Sequence, residues 1–228
     1  MTEIEQTDSW YLEQGGFSYT DEQVDRFLER WFLTLAPLEP GRRVLDLACG
    51  DGVWSFGLER LEPSLQILGV DLSRGAIESA TRRAQSDGSK ATFRCEDLEC
   101  LASDLMEFDL VFARGLHIFN QHDMTHPGCL SLLEGLHERL APNGIFYSTY
   151  GGRPANAGGY TPASDVRLPL NWKPRRTAAL DFRGGKFNHT QESFLAPFLR
   201  LESVEISAYR YRSGRHALVT RRADQPRG

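Results

Sequence analysis

Three carboxylates stand at comparable places in the first half of the chain, each at or just past the end of a short apolar run. Asp46 follows Val44-Leu45, Asp71 follows Ile67-Leu68-Gly69-Val70, and Asp97 comes shortly after Ala91-Thr92-Phe93. The first flows into the turn Leu47-Ala48-Cys49-Gly50-Asp51-Gly52, and Val53-Trp54-Ser55-Phe56-Gly57-Leu58 can begin a helix straight after it. Glycine in such a turn lets a ligand approach the backbone, because no Cβ stands in the way. The helix start beyond adds unsatisfied N–H groups and a partial positive charge. Strand, tight turn and helix in that order predict a nucleotide-type site at the carboxyl end of a first strand. A dinucleotide fingerprint needs glycine or alanine at position 55, where Ser55 stands. Asp46 would also repel a pyrophosphate, whereas a ligand with a cationic amino-acid end would welcome it. Asp71 lies about one βαβ unit beyond Gly52, where a carboxylate can accept hydrogen bonds from two vicinal hydroxyls.

The pattern Asp46-x-Ala48-x-Gly50-x-Gly52 resembles motif I of the class I methyltransferases, which bind S-adenosylmethionine (SAM). Most of that family carry glycine where this chain has Ala48. Gly69-Val70-Asp71-Leu72-Ser73 is similar to the family's acidic loop. Glu96-Asp97-Leu98, the strand entry Phe108-Asp109 and the turn Leu140-x-Pro142-x-Gly144 continue the resemblance, which covers roughly residues 40–221. It implies an α/β, Rossmann-like three-layer sandwich: a mostly parallel seven-stranded sheet with an antiparallel C-terminal strand. It further implies SAM as cofactor and S-adenosyl-L-homocysteine (SAH) as product. By position, Asp46, Ala48, Gly50 and Gly52 would hold the amino-acid portion, Asp71 with Leu72 the ribose side, and Asp97 with Leu98 the adenine. Glu96 takes the place of Asp97 if the register shifts by one. Ala113 and Arg114 would border the methionine end.

Several elements must position these groups. Thr20-Asp21-Glu22-Gln23 is a capping box, followed by Val24, Phe27, Leu28, Trp31, Phe32 and Leu35 at helical spacing. Residues 1–40 thus form an N-terminal segment and helix, and the aromatics at 10–19 are either a lid over the cofactor or simply buried. The spacing predicts strands over 43–48, 65–71, 91–95, 108–113 and 145–150. Helices are expected over 53–61, from Ser73 to about Gln85, and over 127–141. Thr190 is a candidate cap for a further helix that Pro197 must kink or shorten. Ser203–Arg212 and His216–Arg221 predict a closing antiparallel hairpin around Ser213-Gly214. With no internal repeat and no second domain visible, residues 1–228 are expected to be a single methyltransferase domain.

Residues 151–189 form a long connection of the kind that is usually functional or disordered. Seven cations (Arg153, Arg167, Lys173, Arg175, Arg176, Arg183, Lys186) stand there against Asp165 and Asp181, in a chain of net charge −5. Such segregation suits an anionic partner on the substrate side, or else balances nearby acidic helices. Trp172, Arg175 and Arg176, with Tyr11, Tyr19 and Tyr150, are the candidate substrate contacts. A carboxylate acceptor needs no base. An alcohol or amine does, and His117, just past the fourth strand, is then the catalytic candidate by position and intrinsic pKa; otherwise it is an ordinary loop histidine.

Of 228 residues, 40 % are apolar and 25 % charged, an ordinary soluble balance. The acidic net charge disfavours DNA binding, and no run of about 20 apolar residues predicts a membrane span. Met1-Thr2-Glu3-Ile4-Glu5 lacks the basic and apolar regions of a signal peptide. Cys49, Cys95, Cys100 and Cys129 lack metal-ligand spacing and fit free thiols in a cytoplasmic protein without a metal. The expected partner is a small-molecule acceptor. An RNA or protein acceptor, or a non-catalytic SAM-binding module of the same fold, is the competing reading.

Overall fold

The computed structural model describes residues 19–33, 35–98, 101, 104–105, 107–114, 116, 118–119, 124–150, 166–167, 181–183, 186–188, 194–201, 204–211 and 214–221. Two compact units divide the chain, Met1–Phe112 and Ala113–Gly228.

In the first unit, α1 (Asp21–Phe27) begins at the expected capping box. The Gln23 N–H donates to the Thr20 hydroxyl, and the Thr20 N–H donates to the Gln23 side chain. The helix continues as a π-helical turn over Leu28–Phe32. Its apolar face meets α2 (Val53–Leu61) at Gly57, where a Cβ would strike Val24 and come within 2.9 Å of Leu28. Around that contact Asp21 pairs with Arg60 (3.3 Å) and Arg83 (2.9 Å), and Asp25 with Arg60 (2.6 Å).

The sheet of this unit runs β3 (Thr92–Cys95), β2 (Gln66–Asp71), β1 (Arg43–Leu47), β4 (Phe108–Arg114), all parallel. Val44, Leu45 and Leu47 of β1 are fully buried, as an apolar central strand of a parallel sheet should be. The register places Asp46 beside Gly69 and Phe112, and Asp71 beside Cys95. All three strand ends therefore deliver their carboxyl-terminal residues to one edge. Between β2 and β3 runs α3 (Arg74–Asp87), capped by the Ser73 hydroxyl, which accepts from the Ala76 N–H (3.1 Å), and stopped by Gly88 in the left-handed region. Phe93 of β3 lies across two glycines: a Cβ on Gly69 would come within 2.6 Å of its ring, and one on Gly52 within 2.8 Å.

In the second unit, α4 (Pro127–Arg139) buries Cys129, Leu132, Leu133 and Leu136. It passes directly into β5 (Leu140–Tyr150), so the segment expected to be a turn at 141–144 is strand, with Asn143 at φ 63°. β10 (Gly214–Arg221) pairs antiparallel with both β5 and β9 (Val204–Tyr211), which confirms the hairpin. The two-residue β6 (Val166–Arg167) adds to β9, and β7 (Asp181–Arg183) pairs with β8 (Lys186–Asn188). Pro197 has the expected effect: Ala196–Arg200 is a 3-10 turn. Phe194 and Phe198 are buried there against Phe119 and Phe146. Among the described residues, the first unit thus holds four parallel strands, and in the second β10 runs antiparallel to β5 and β9, with β6 antiparallel to β9. No helix among the described residues is long and apolar enough to cross a membrane.

Candidate functional site

The turn after β1 is built from left-handed residues: Ala48 (φ 57°), Gly50 (φ 57°) and Gly52 (φ 78°). Such angles reverse the chain within a few residues, and glycine takes them without steric cost. Cys49 ties the turn to β2, its N–H donating to the Val70 carbonyl (3.0 Å). Gly52 is the N-cap of α2 and offers no side chain to the helix's first N–H groups. Asp51, half-buried beside them, is held above the usual carboxylate range by desolvation, with the Val53 N–H the first opposing influence.

Asp46 is buried at the end of β1, and the Ser55 hydroxyl donates to its Oδ2 at 2.6 Å. Burial pushes its carboxyl up to about 7; the Ser55 hydrogen bond opposes this, and the charges of Asp71 and Asp51 add to it. The same burial raises the Cys49 thiol, which lies inside the turn rather than at its surface.

Asp71 is the joint between turn and second strand. Its Oδ2 accepts the Gly50 N–H and its Oδ1 the Ser73 N–H, both at 2.9 Å. Two backbone donors, one on each oxygen, fix the orientation of the carboxylate. Leu72, next along, is 39 % exposed, an apolar side chain displayed at a strand tip.

Asp97 stands two residues beyond Cys95, the register partner of Asp71, and is exposed; Leu98 is half-buried. The Glu96 side chain, the alternative at this position, pairs with Arg94 (2.6 Å), and its N–H donates to the Asp71 carbonyl (3.0 Å). Ala113, fully buried, and Arg114 are the last residues of β4. Tyr19 is 40 % exposed and packs edge-on against Trp54, ring centroids 5.5 Å apart; Trp54 also meets Phe27 and Phe112. Tyr150 ends β5, its side chain outside the description, and Tyr11, His117, Trp172, Arg175 and Arg176 lie outside the described residues. Among the described residues no group of three His, Cys, Asp or Glu side chains could hold a metal ion.

Two participants escaped the sequence reading. Ser55 counted only as a missing glycine, although a hydroxyl three residues past Gly52 is on the first helical turn and able to reach back to β1. Phe93 carries no signal beyond that of an apolar strand residue, and its pairing with Gly69 becomes visible only in the sheet register.

Residues 44–144 match the protein family described as "Methyltransferase domain". A ubiquinone biosynthesis O-methyltransferase of Coxiella burnetii is 30 % identical over 112 residues, covering 48 % of this chain and 44 % of that protein. A malonyl-[acyl-carrier protein] O-methyltransferase of Legionella pneumophila is 40 % identical over 89 residues, covering 39 % and 30 %. The chain thus spans about half or less of the length of these curated relatives. Among solved structures, magnesium protoporphyrin IX methyltransferase of Synechocystis PCC 6803 with bound SAM superposes with a TM-score of 0.61 at 14 % identity, over 97 % of this chain and 98 % of that one. That likeness establishes the fold class, Rossmann-like α/β.

Proposed function

We propose that the chain, whose residues 44–144 carry a methyltransferase domain, moves the methyl group of SAM onto a small molecule, acting in the cytoplasm as one domain over 1–228. The observation that carries this reading is Asp71, a carboxylate oriented by the Gly50 and Ser73 N–H groups at the tip of β2, directly beside the glycine turn. That is the arrangement a ribose diol needs. The surroundings fit the rest of the ligand. Asp46, buried beside the open turn, suits an ammonium; exposed Leu72 suits one face of the adenine; Asp97 and the Leu98 N–H suit its polar edge.

When bound, the cofactor supplies a methyl carbon on positively charged sulfur, and the electron pair of the broken S–C bond stays on sulfur. The protein's task is then alignment and exclusion of water. Rigid fixation of Asp71 and burial of Asp46 serve alignment. The acceptor we propose is an oxygen of an anionic group such as a carboxylate, which has no proton to lose. Both curated relatives are named O-methyltransferases, and the cation excess of residues 151–189 supports an anion.

Incubation with methyl-labelled SAM and a panel of carboxylic acids and phenols, followed by mass spectrometry, tests this. A labelled methyl ester is expected. Tight SAM binding with no labelled product from any acid would remove the anionic acceptor, and labelled phenol ethers alone would replace it with a hydroxyl. Asp71→Ala should weaken SAM binding at least several-fold by calorimetry; unchanged affinity would refute the assigned role.

A further inference from the structure

We infer that Arg94 is a positioning residue for adenine recognition, acting through the segment it straps rather than by touching the ligand. The inference rests on the SAM reading above and concerns the adenine end of that site. Arg94 lies in β3, in register with Val70. One guanidinium nitrogen, Nη2, donates to Glu96 Oε1 at 2.6 Å, and the other, Nη1, to Asp104 Oδ2 at 2.9 Å. A single guanidinium therefore ties Glu96 and Asp104 to one point on β3, and Asp97 and Leu98 follow Glu96 directly in the chain.

Both closures are real electrostatic contacts. The hydrogen bond from Arg94 comes first among the causes that hold the Asp104 carboxyl below its ordinary value. Asp104 is two-thirds exposed and Arg94 more than a third, so salt weakens this side of the strap. Glu96 is better sheltered, and its backbone N–H is already bound to the Asp71 carbonyl. Glu96 is thus held by β2 and Arg94 together, and Asp104 by Arg94. Lysine cannot substitute: its ammonium is a point charge and lacks the two-pronged geometry. Loss of the strap would loosen the hold on the backbone beside Asp97 and Leu98, and the cost of restoring its order would be charged to ligand binding.

The test uses calorimetry with SAH and with its analogue bearing a carbonyl in place of the adenine amino group. Wild type should prefer SAH. Arg94→Ala should weaken SAH binding by about fivefold, in keeping with partly exposed ion pairs, and lose most of the preference while the analogue's affinity hardly moves. Asp104→Asn, at an exposed site that should not disturb folding, should reproduce a smaller loss, and Asp104→Glu should restore it. Equal weakening of both ligands with a lowered melting temperature would overturn the inference in favour of a general stabilising role. So would wild-type preference in Arg94→Ala or, should that variant fail to fold, in Asp104→Asn. A wild-type chain that binds neither ligand would remove the SAM reading itself, and the strap's role with it.

Discussion

Below pH 3.8 the Asp46 carboxyl is neutral in folded and unfolded chains alike; above about pH 7 it is ionised in both, but only the folded chain buries the charge. Between those limits the folded form keeps a proton the unfolded form has released, so stability falls as pH rises through that window and stays lower above it. Asparagine has the same shape, no charge, and an oxygen that still accepts the Ser55 hydroxyl. Asp46→Asn should therefore flatten this pH dependence: its urea midpoint should exceed wild type at pH 8 and match it near pH 4, while SAM affinity falls. An unaltered slope from pH 4 to 8 would contradict the burial argument. Ala48 poses a smaller conflict, since a left-handed alanine costs about 1 kcal/mol that glycine avoids. Ala48→Gly should raise thermal stability by about that amount. The sequence made the turn and its acids legible because residue type and spacing carry them. It did not reveal the sign of φ at Ala48 or the reach of the Ser55 hydroxyl, since both depend on how the chain bends.

Local chemistry made some elements readable and left others obscure. The Thr20–Gln23 capping box needs only neighbours in sequence, and it formed as read. The strap at Arg94 needs Glu96 and Asp104 brought to one cation, which no periodicity shows. Pro197 foretold a shortened helix because it lacks an N–H, whereas the π-helical turn at Leu28–Phe32 has no comparable residue signal. The docking of α1 rests on Gly57, where any side chain meets Val24 and Leu28. Gly57→Val should cost about 2 kcal/mol through overpacking and speed amide exchange across residues 24–32, read by mass spectrometry. Thr20→Ala removes one cap and should cost about 1 kcal/mol. If Gly57→Val left exchange at wild-type rates, α1 would be held chiefly by the ion pairs of Asp21 and Asp25.

At the scale of the molecule, the three carboxylates proposed to hold the cofactor fall within one compact unit. Asp46, Asp71 and Asp97 all belong to residues 1–112. A ligand that binds only the folded site stabilises by about 2.7 kcal/mol at a hundredfold excess over Kd. SAH should thus raise the melting temperature by several degrees, an effect that Asp71→Ala should reduce. Absence of a shift in wild type at saturating SAH would contradict the cofactor assignment. The fold class was accessible from sequence because strand-end acids and the terminal hairpin recur in fixed order. The acceptor was not, because nothing in the 151–189 stretch has a periodicity that fixes where its cations go.

Phe93 lies over two glycines that come from different elements, one in the turn and one in the neighbouring strand. These three positions are therefore bound together in inheritance. A Cβ at Gly69 finds room only after the ring has been traded for something smaller, Gly52 is held to glycine by its left-handed φ as well, and shrinking the ring first opens a void. A lineage can leave this arrangement only by paired substitutions, so Gly69→Ala and Phe93→Leu should each be harmful alone and partly rescue one another in combination.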